Sequence, residues 1–500
     1  MRSGPAGQEG GGAGGSANTS VRPGVLWAVG FLTALLLYAL TLAPDLVWQD
    51  SGDYQYQAAR LDLSRPGDAV RVHPWFLAIA HVLGYVPLWN YAYAANLASA
   101  IGTALAVANV LLLARLMTGR TWPAAVAAVS FAVGQAVWAH AVMAETYGWA
   151  AAFLSAECLC AWAWINRARV RWLLLLFFLN GIAISNHMMA SISLVVFGVW
   201  MIVESLRGRA PWWTFAASAG LWLIGGTLYW IVLGMEYDHT GSVTETLRSA
   251  TVGRWGSAIF NLADLPSMLG KSVLYVVLNY PTPLILAVFA GAAVLMRRRD
   301  AMSRLLLVLG ALCFAWAARY KVADQYAFFI PFYVVASLMI GEGAAWFLGG
   351  RSRARAAALL AAALLPAAVY AILPSVAERI GYPSFPRRLP YRDPYVFFFQ
   401  PWRTCDNGAR RFAEETLASL PPGAVLAPDS TALPPLLCVH DLEHRRPDVF
   451  IGKPDSVAGR RVFVTSDVPG YAPAWAVKGG RLEPFGLVWE VKPAAEEGGP

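Results

Sequence analysis

The chain has 500 residues, of which 57% are hydrophobic and 14% charged, with a mean hydropathy of +0.48. Soluble domains run nearer roughly 45–50% apolar and about 25% charged, so an ordinary soluble enzyme is excluded. The formal charge is +8, and five cysteines (158, 160, 313, 405 and 438) show no CxxC spacing and are too few for a disulfide scaffold. The composition is that of an α-helical polytopic membrane protein, with 21 Trp, 19 Tyr and 23 Phe suited to many membrane interfaces.

Residues 1–24 are rich in Gly and poor in apolar side chains, and are expected to be disordered. Val25–Ala43 is uncharged and, at about 1.5 Å per residue, long enough to span; it lacks a small-residue cleavage site and reads as a retained first span. Ten further apolar runs follow: 91–114, 122–139, 147–165, 172–185, 188–203, 212–234, 273–296, 305–318, 327–348 and 356–373. The expectation is about eleven spans over 25–374. Arginines 115, 120, 167, 169, 171, 207, 209, 297, 298, 299, 304, 351, 353 and 355 all fall in every second connection. By the positive-inside rule that side and the N-terminus are cytoplasmic, and residues 375–500 lie outside the plasma (inner) membrane. Because these cations all lie on one side, in tight turns, and form no contiguous basic face, they argue against nucleic-acid binding.

Two long outer loops are expected, 44–90 and 235–271, the first holding an interfacial helix over Pro74–Val86. Beyond 375 a Pro-rich stretch leads into a small α/β domain, with strands at 424–427, 461–465 and 487–491 and a helix at 432–440. Residues 400–497 carry enough Val, Phe and Trp to fold alone, and Cys405 and Cys438 share a compartment in which they could pair.

Carboxylates at the outer face are the main chemical clue. Asp50 and Asp53 follow the first span, with Gly52 between them allowing a tight turn; they either aim at one substrate, or Asp50 or Ser51 caps a helix starting near Asp53. His73 precedes the interfacial helix. Glu145 sits between two spans, where an acid facing lipid is costly. Asn186 and His187 end a 14-residue run and so lie below the surface, inside protein. Glu157, mid-span, reads as structural, paired with a basic residue near the inner face. Arg319 and Lys321 beside Asp324 form either a phosphate clamp or a snorkelling pair.

Asp50-Ser51-Gly52-Asp53, His73-Pro74, Ala144-Glu145-Thr146-Tyr147 and Asn186-His187 together resemble the D-S-G-E, H-P-P-G, A-E-x-[FY], N-[HQ] signature of the transmembrane protein O-mannosyltransferases. These belong to the GT-C glycosyltransferase superfamily. The resemblance covers roughly residues 25–340, and Asp429-Ser430-Thr431 with Arg446–Val449 is similar to the family's outer domain. Trp75-Phe76 stand where the family has Pro-Gly. The resemblance implies a GT-C-like fold and transfer of a sugar, mannose in the named family, from a polyprenyl-phosphate donor in the membrane to a hydroxyl on a protein or glycolipid. It gives Asp50 the role of general base and makes Asp53 and Glu145 its catalytic partners. Arg71, His73, Asn186, His187, Arg319, Lys321 and Asp324 become substrate-binding residues. One base and in-line attack imply inversion at the sugar. No metal site is expected and no cofactor is required, although such chemistry leaves room for a divalent cation. The reading from another class is a transporter or flippase of a lipid-linked saccharide. It fits less well, because the acids gather at one face and not at the midplane.

Overall fold

A computed structural model describes residues 22–259, 264–349, 352–453 and 459–493. The disordered segment expected at the N-terminus falls, up to residue 21, outside the described residues, as does Arg351. The first half runs α1 (Pro23–Leu40), α2 (Gln49–Arg60), α3 (Pro74–Gly84), α4 (Tyr91–Thr118), α5 (Thr121–Ala132), α6 (Gln135–Ala141), α7 (Tyr147–Arg167), α8 (Arg171–Asn186) and α9 (Ala190–Leu206). There follow α10 (Trp213–Gly225), α11 (Thr227–Thr240), α12 (Val243–Thr251), α13 (Gly256–Ile259), α14 (Leu265–Asn279), α15 (Leu286–Arg298), α16 (Ala301–Arg319), α17 (Ile330–Leu348) and α18 (Arg353–Ile380).

All eleven apolar runs are helical, but they are not eleven straight spans. Among the described residues six helices are long and apolar enough to cross a bilayer: α1, α4, α7, α16, α18, and α17 with the turn before it. Three runs are pairs bent at a break, α5–α6 by 65°, α10–α11 by 67° and α14–α15 by 115°, which brings the number to nine if each pair counts once. The remaining two, α8 and α9, have 16 and 17 residues. A hydrophobicity window cannot see a bend. Gly134 breaks α5 from α6, and a Cβ there would lie 2.6 Å from the Asn279 amide, so the close approach of α14 requires a glycine.

Helix α4 is the spine against which α1, α5, α7 and α17 pack. Small residues permit this. A Cβ at Gly148 of α7 would lie 2.2 Å from Thr103 Oγ1 of α4, so the two backbones touch directly. Acids at the arginine-rich ends of spans are paired: Arg298 grips Glu342 with two hydrogen bonds of 2.9 and 2.6 Å, and Arg209 approaches Glu204 at 3.4 Å. Glu157 departs from the expectation of a basic partner. Its carboxyl accepts from Asn180 Nδ2 at 3.0 Å inside the bundle, where polar neighbours replace the cation.

The tail begins with α19 (Pro394–Phe399) and α20 (Gly408–Ser419). It continues through β1 (Val425–Ala427), α21 (Leu433–Leu437), β2 (Phe450–Ile451), β3 (Val462–Val464), α22 (Ala474–Gly479), β4 (Gly480–Phe485) and β5 (Val488–Pro493). The sheet has the order β2-β1-β3-β5-β4, with β2 and β3 parallel to β1 and β5 antiparallel to β3 and β4.

Its core is not its own. Leu46 and Trp48 of the first outer loop and Ala92 of α4 are buried in one cluster with Phe412, Leu426, Leu436 and Phe463, and the Trp48 ring lies tilted against Phe412, 5.2 Å between centroids. Arg410 of α20 reaches both Asp45 and Glu443, while Tyr56 and Tyr91 donate to Asp441 and Glu443 at 2.8 and 3.0 Å. The expectation of an independently folding tail is therefore corrected, because part of its apolar face is completed by residues 46–48. A fragment of residues 400–493 should melt at a lower temperature and over a broader range than the same segment in the whole chain; followed by near-ultraviolet circular dichroism, a melt as sharp as that of the intact protein would refute the shared core. Cys405 is exposed and Cys438 buried, both as free thiols, so the suggested pairing is absent.

Candidate active site

Helix α2 carries both acids of the first outer loop. It begins at Gln49 and has no side-chain cap, since Trp48 occupies the N-cap position; neither Asp50 nor Ser51 plays the capping role. Asp50 and Asp53, three apart, therefore share one helical face. Gly52 is helical, so no tight turn needs it. It is required because a Cβ would lie 2.3 Å from the Val47 carbonyl and 3.0 Å from Pro434 of the tail.

The two acids are held by arginines from the following loop. Arg71 Nη2 lies 2.9 Å from Asp50 Oδ1 and 3.8 Å from Asp53 Oδ2, and Arg65 pairs with Asp53. Asp53 is mostly enclosed, but the Asp50 side chain is 52% exposed, so it alone of the pair is open to an incoming molecule. Beneath α2, Ser51 Oγ donates to Glu145 Oε1 at 2.8 Å, and Ser99 Oγ braces the same loop through the Glu145 N–H (2.7 Å) and carbonyl (2.9 Å). Burial and the neighbouring Asp50 carboxylate push the Glu145 carboxyl well above the usual range, which favours its neutral form.

A histidine pair forms the adjoining wall. His73 and His187 stack with centroids 5.0 Å apart, with Tyr54 edge-on to the first and Tyr147 and Phe328 against the second. His73 Nδ1–H donates to the Asn186 carbonyl at 2.7 Å, and Asn186 Nδ2 donates to the Thr146 carbonyl at 3.0 Å. His187 Nδ1 accepts the Met189 N–H at 3.1 Å, which places its proton on Nε2. Burial lowers both imidazoles, His187 to about 4, with His187 adding to the effect on His73. They are neutral hydrogen-bonding groups, not cations. His73 also precedes α3 directly, since Pro74 opens that helix and Trp75 packs on Trp149 and Phe153 where the family pattern has a Pro-Gly turn.

Asp324, which precedes the turn into α17, accepts a hydrogen bond from Tyr147 and is raised to about 6 by burial and then by Asp50. Its folded-state proton affinity exceeds that in the unfolded chain. The stability it contributes is full below about pH 4 and is lost as pH rises through about 6. An Asp324→Asn protein should therefore melt about 2 °C or more above wild type at pH 7.5 and level with it at pH 4, checked by thermal unfolding in detergent.

Eight of the ten residues singled out in the sequence thus converge: Asp50, Asp53, Arg71, His73, Glu145, Asn186, His187 and Asp324. Two do not. Lys321 pairs with Asp264 and is largely exposed, and Arg319 lies over the Trp316 ring, 5.0 Å from its centroid. Three participants escaped sequence reading: Arg65, Ser51 and Tyr147. An unexplained cluster of charges in 60–71 was the available signal for the first. The other two carry no sequence signal beyond lying inside the motifs. Among the described residues no group of three or more His, Cys, Asp or Glu side chains is placed to hold a metal ion.

Residues 50–209 match the family model described as the Protein O-mannosyl-transferase TMEM260 N-terminal domain. No curated protein matches the chain by sequence. Among solved structures, ArnT from Cupriavidus metallidurans in the apo state superposes with a TM-score of 0.59 at 15% identity, covering 96% of this chain and 100% of that one. ArnT bound to undecaprenyl phosphate gives 0.59 at 14% identity, over 95% and 99%. The oligosaccharyltransferase of Archaeoglobus fulgidus gives 0.50 at 14% identity, over 87% of this chain and 65% of that one. The chain has the fold of ArnT, and over residues 50–209 it is similar to the O-mannosyl-transferase family.

Proposed function

We propose that the chain is a membrane glycosyltransferase that moves a sugar, mannose by the family likeness, from a polyprenyl-phosphate donor to a hydroxyl of a protein or glycolipid at the outer face of the membrane. The observation that carries this reading is Asp50, an exposed carboxylate beside the first span, aimed by Arg71 and surrounded by enclosed polar groups. Undecaprenyl phosphate bound to a structure of the same fold supports a lipid-phosphate donor.

In this reading Asp50 takes the proton of the acceptor hydroxyl as its oxygen attacks the anomeric carbon. The bond from that carbon to the phosphate oxygen breaks, and the polyprenyl phosphate leaves with the electron pair. Attack opposite the leaving group inverts the sugar. Arg71 holds Asp50 in place, protonated Glu145 can donate a hydrogen bond without adding charge, and the His187 Nε2–H offers a neutral donor to sugar or phosphate. A synthetic polyprenyl-phosphate α- or β-mannoside offered to the protein in nanodiscs with a hydroxyl acceptor tests this, with NMR reading the product's anomeric configuration. Retention would exclude the single-base mechanism, and lipid scrambling without transfer would favour a flippase.

The orientation is part of the same proposal: N-terminus and arginine-rich loops inside, tail outside. Alkaline-phosphatase fusions after residue 380 should be active and fusions at residue 168 inactive. The opposite pattern would invert the topology.

A further inference from the structure

The active site as built holds few free cations for a phosphate. Arg71 is engaged by two carboxylates, both histidines are neutral, and Lys321 is paired elsewhere. A second concentration of arginine lies in the segment joining the last long helix to the tail. Residues 391–406 line a cavity of about 320 Å³, with Arg392 and Arg403 both in its wall.

Their environment is unusual for arginines. Arg403 is 4% exposed, and its Nη groups donate to the carbonyls of Phe397, Gln400 and Trp402, leaving Nε buried with no hydrogen-bond partner among the described residues. Arg392 stacks on Phe397, its Cζ 3.8 Å from the ring centroid, and its Nη1 is likewise buried without a partner. Arg403 Cζ lies 4.5 Å from the same ring. Burial and Arg403 pull the Arg392 guanidinium down to about 10, as expected for like charges crowded out of water.

The acids nearby do not neutralise them. Asp393 accepts the Val396 N–H, and Asp406, which faces both arginines, makes no ion pair with either among the described residues. Two cations against one facing carboxylate leave an excess of positive charge, with one unfilled donor on each, Arg403 Nε and Arg392 Nη1. Guanidinium forks match phosphate oxygens in geometry as well as charge. A chain of rings links the segment to the wall of the candidate site: Phe398 lies 5.7 Å from Tyr326, Tyr326 contacts His140, and His140 is edge-on to Tyr147 at 5.3 Å.

The geometry points to a phosphate-binding site formed by Arg392 and Arg403 on the 391–406 segment, taking either a lipid phosphate headgroup or free phosphate. This does not depend on the transfer reaction. The test uses the full chain in maltoside detergent with no sugar donor or acceptor, so its outcome is separable from that of the transfer assay. Binding of dioctanoyl phosphatidylglycerol and of inorganic phosphate is measured by titration calorimetry for wild type, Arg392→Gln and Gln400→Glu. Saturable one-to-one binding of the lipid, weakened about tenfold or more by each substitution, is the expected result, since charged hydrogen bonds of this kind carry at least that factor. Inorganic phosphate bound as tightly, with the same dependence, would support the site and assign it to the free anion. Binding unchanged in both variants, or no saturable binding of either probe, would overturn it. Gln400→Glu keeps both arginines and introduces a competing carboxylate, so the test stands even if Arg392→Gln fails to fold.

Discussion

An Asp50→Asn protein is expected to transfer sugar at most about one-hundredth as fast as wild type, because a positioned general base typically contributes about 10²–10⁴-fold. The substitution preserves size, helix position and a hydrogen bond to Arg71, and removes only the capacity to take a proton. Expression, membrane insertion and donor binding should therefore stay close to wild type. The neighbouring acids are the controls. Glu145 is buried, accepts from Ser51 and is pushed by burial toward its neutral form, which Glu145→Gln mimics, so that substitution should cost less than Asp50→Asn. Asp53 is enclosed by Arg65 and Arg71 and acts through their position, so Asp53→Asn should loosen Arg71 and raise KM before it lowers kcat. Rates measured with saturating donor separate these outcomes. If Asp50→Asn keeps more than about a tenth of the activity while Glu145→Gln is dead, the base is Glu145 and the assignment fails.

The sequence made the membrane class, the outer-face acids and the strands at 425–427, 462–464 and 488–493 legible, because each leaves a local trace: an apolar run, a charge beside it, an alternation. The convergence of Asp50, Glu145, His73 and His187 was legible only through the family resemblance, since residues 137 positions apart say nothing of proximity by periodicity alone. Three things stayed hidden for physical reasons. Bends at Gly134 and between α14 and α15 leave hydrophobicity unchanged. Arg319 and Lys321 looked available because ring and carboxylate partners such as Trp316 and Asp264 are set by tertiary packing. The tail's missing core face lay in residues 46–48, far away in sequence, and nothing local marks Trp48 as the cover for Phe412. Gly52 serves no tight turn but close approach, first to the Val47 carbonyl and then to Pro434, and the second contact brings α2 against the tail.

That unit makes the tail a determinant of Asp50 geometry, and Arg387→Gln should expose it. Gln49, immediately before Asp50, holds φ at 58°, a left-handed conformation that a non-glycine residue keeps only when its surroundings enforce it. The enforcing contact is a hydrogen bond from the Gln49 N–H to the Thr431 carbonyl, at 3.2 Å. Thr431 is fixed in turn by Asp429, which accepts the Thr431 N–H at 2.8 Å and the Thr465 hydroxyl at 2.6 Å, and which Arg387 grips with two bonds of 2.7 and 2.6 Å. Both partners are buried, with side chains 7% and 5% exposed. Burial alone would raise the Asp429 carboxyl, but Arg387 holds it below the usual carboxylate range. Its contribution to stability is therefore present at neutral pH and is lost only as pH falls below about 4. Removing one member of a buried bidentate pair leaves an uncompensated charge and costs about 3–5 kcal/mol. Arg387→Gln should destabilise the protein by about that amount at pH 7, read as a lower melting temperature, and by progressively less in acid. A purely structural pair would give a less stable protein with normal kinetics at temperatures where it remains folded. If the chain from Arg387 through Asp429 and Thr431 aims Asp50, kcat should fall with KM for the donor nearly unchanged even well below the melting transition, whereas a Gln49→Gly substitution, which suits the left-handed φ and keeps the N–H bond to Thr431, should leave kcat and stability close to wild type.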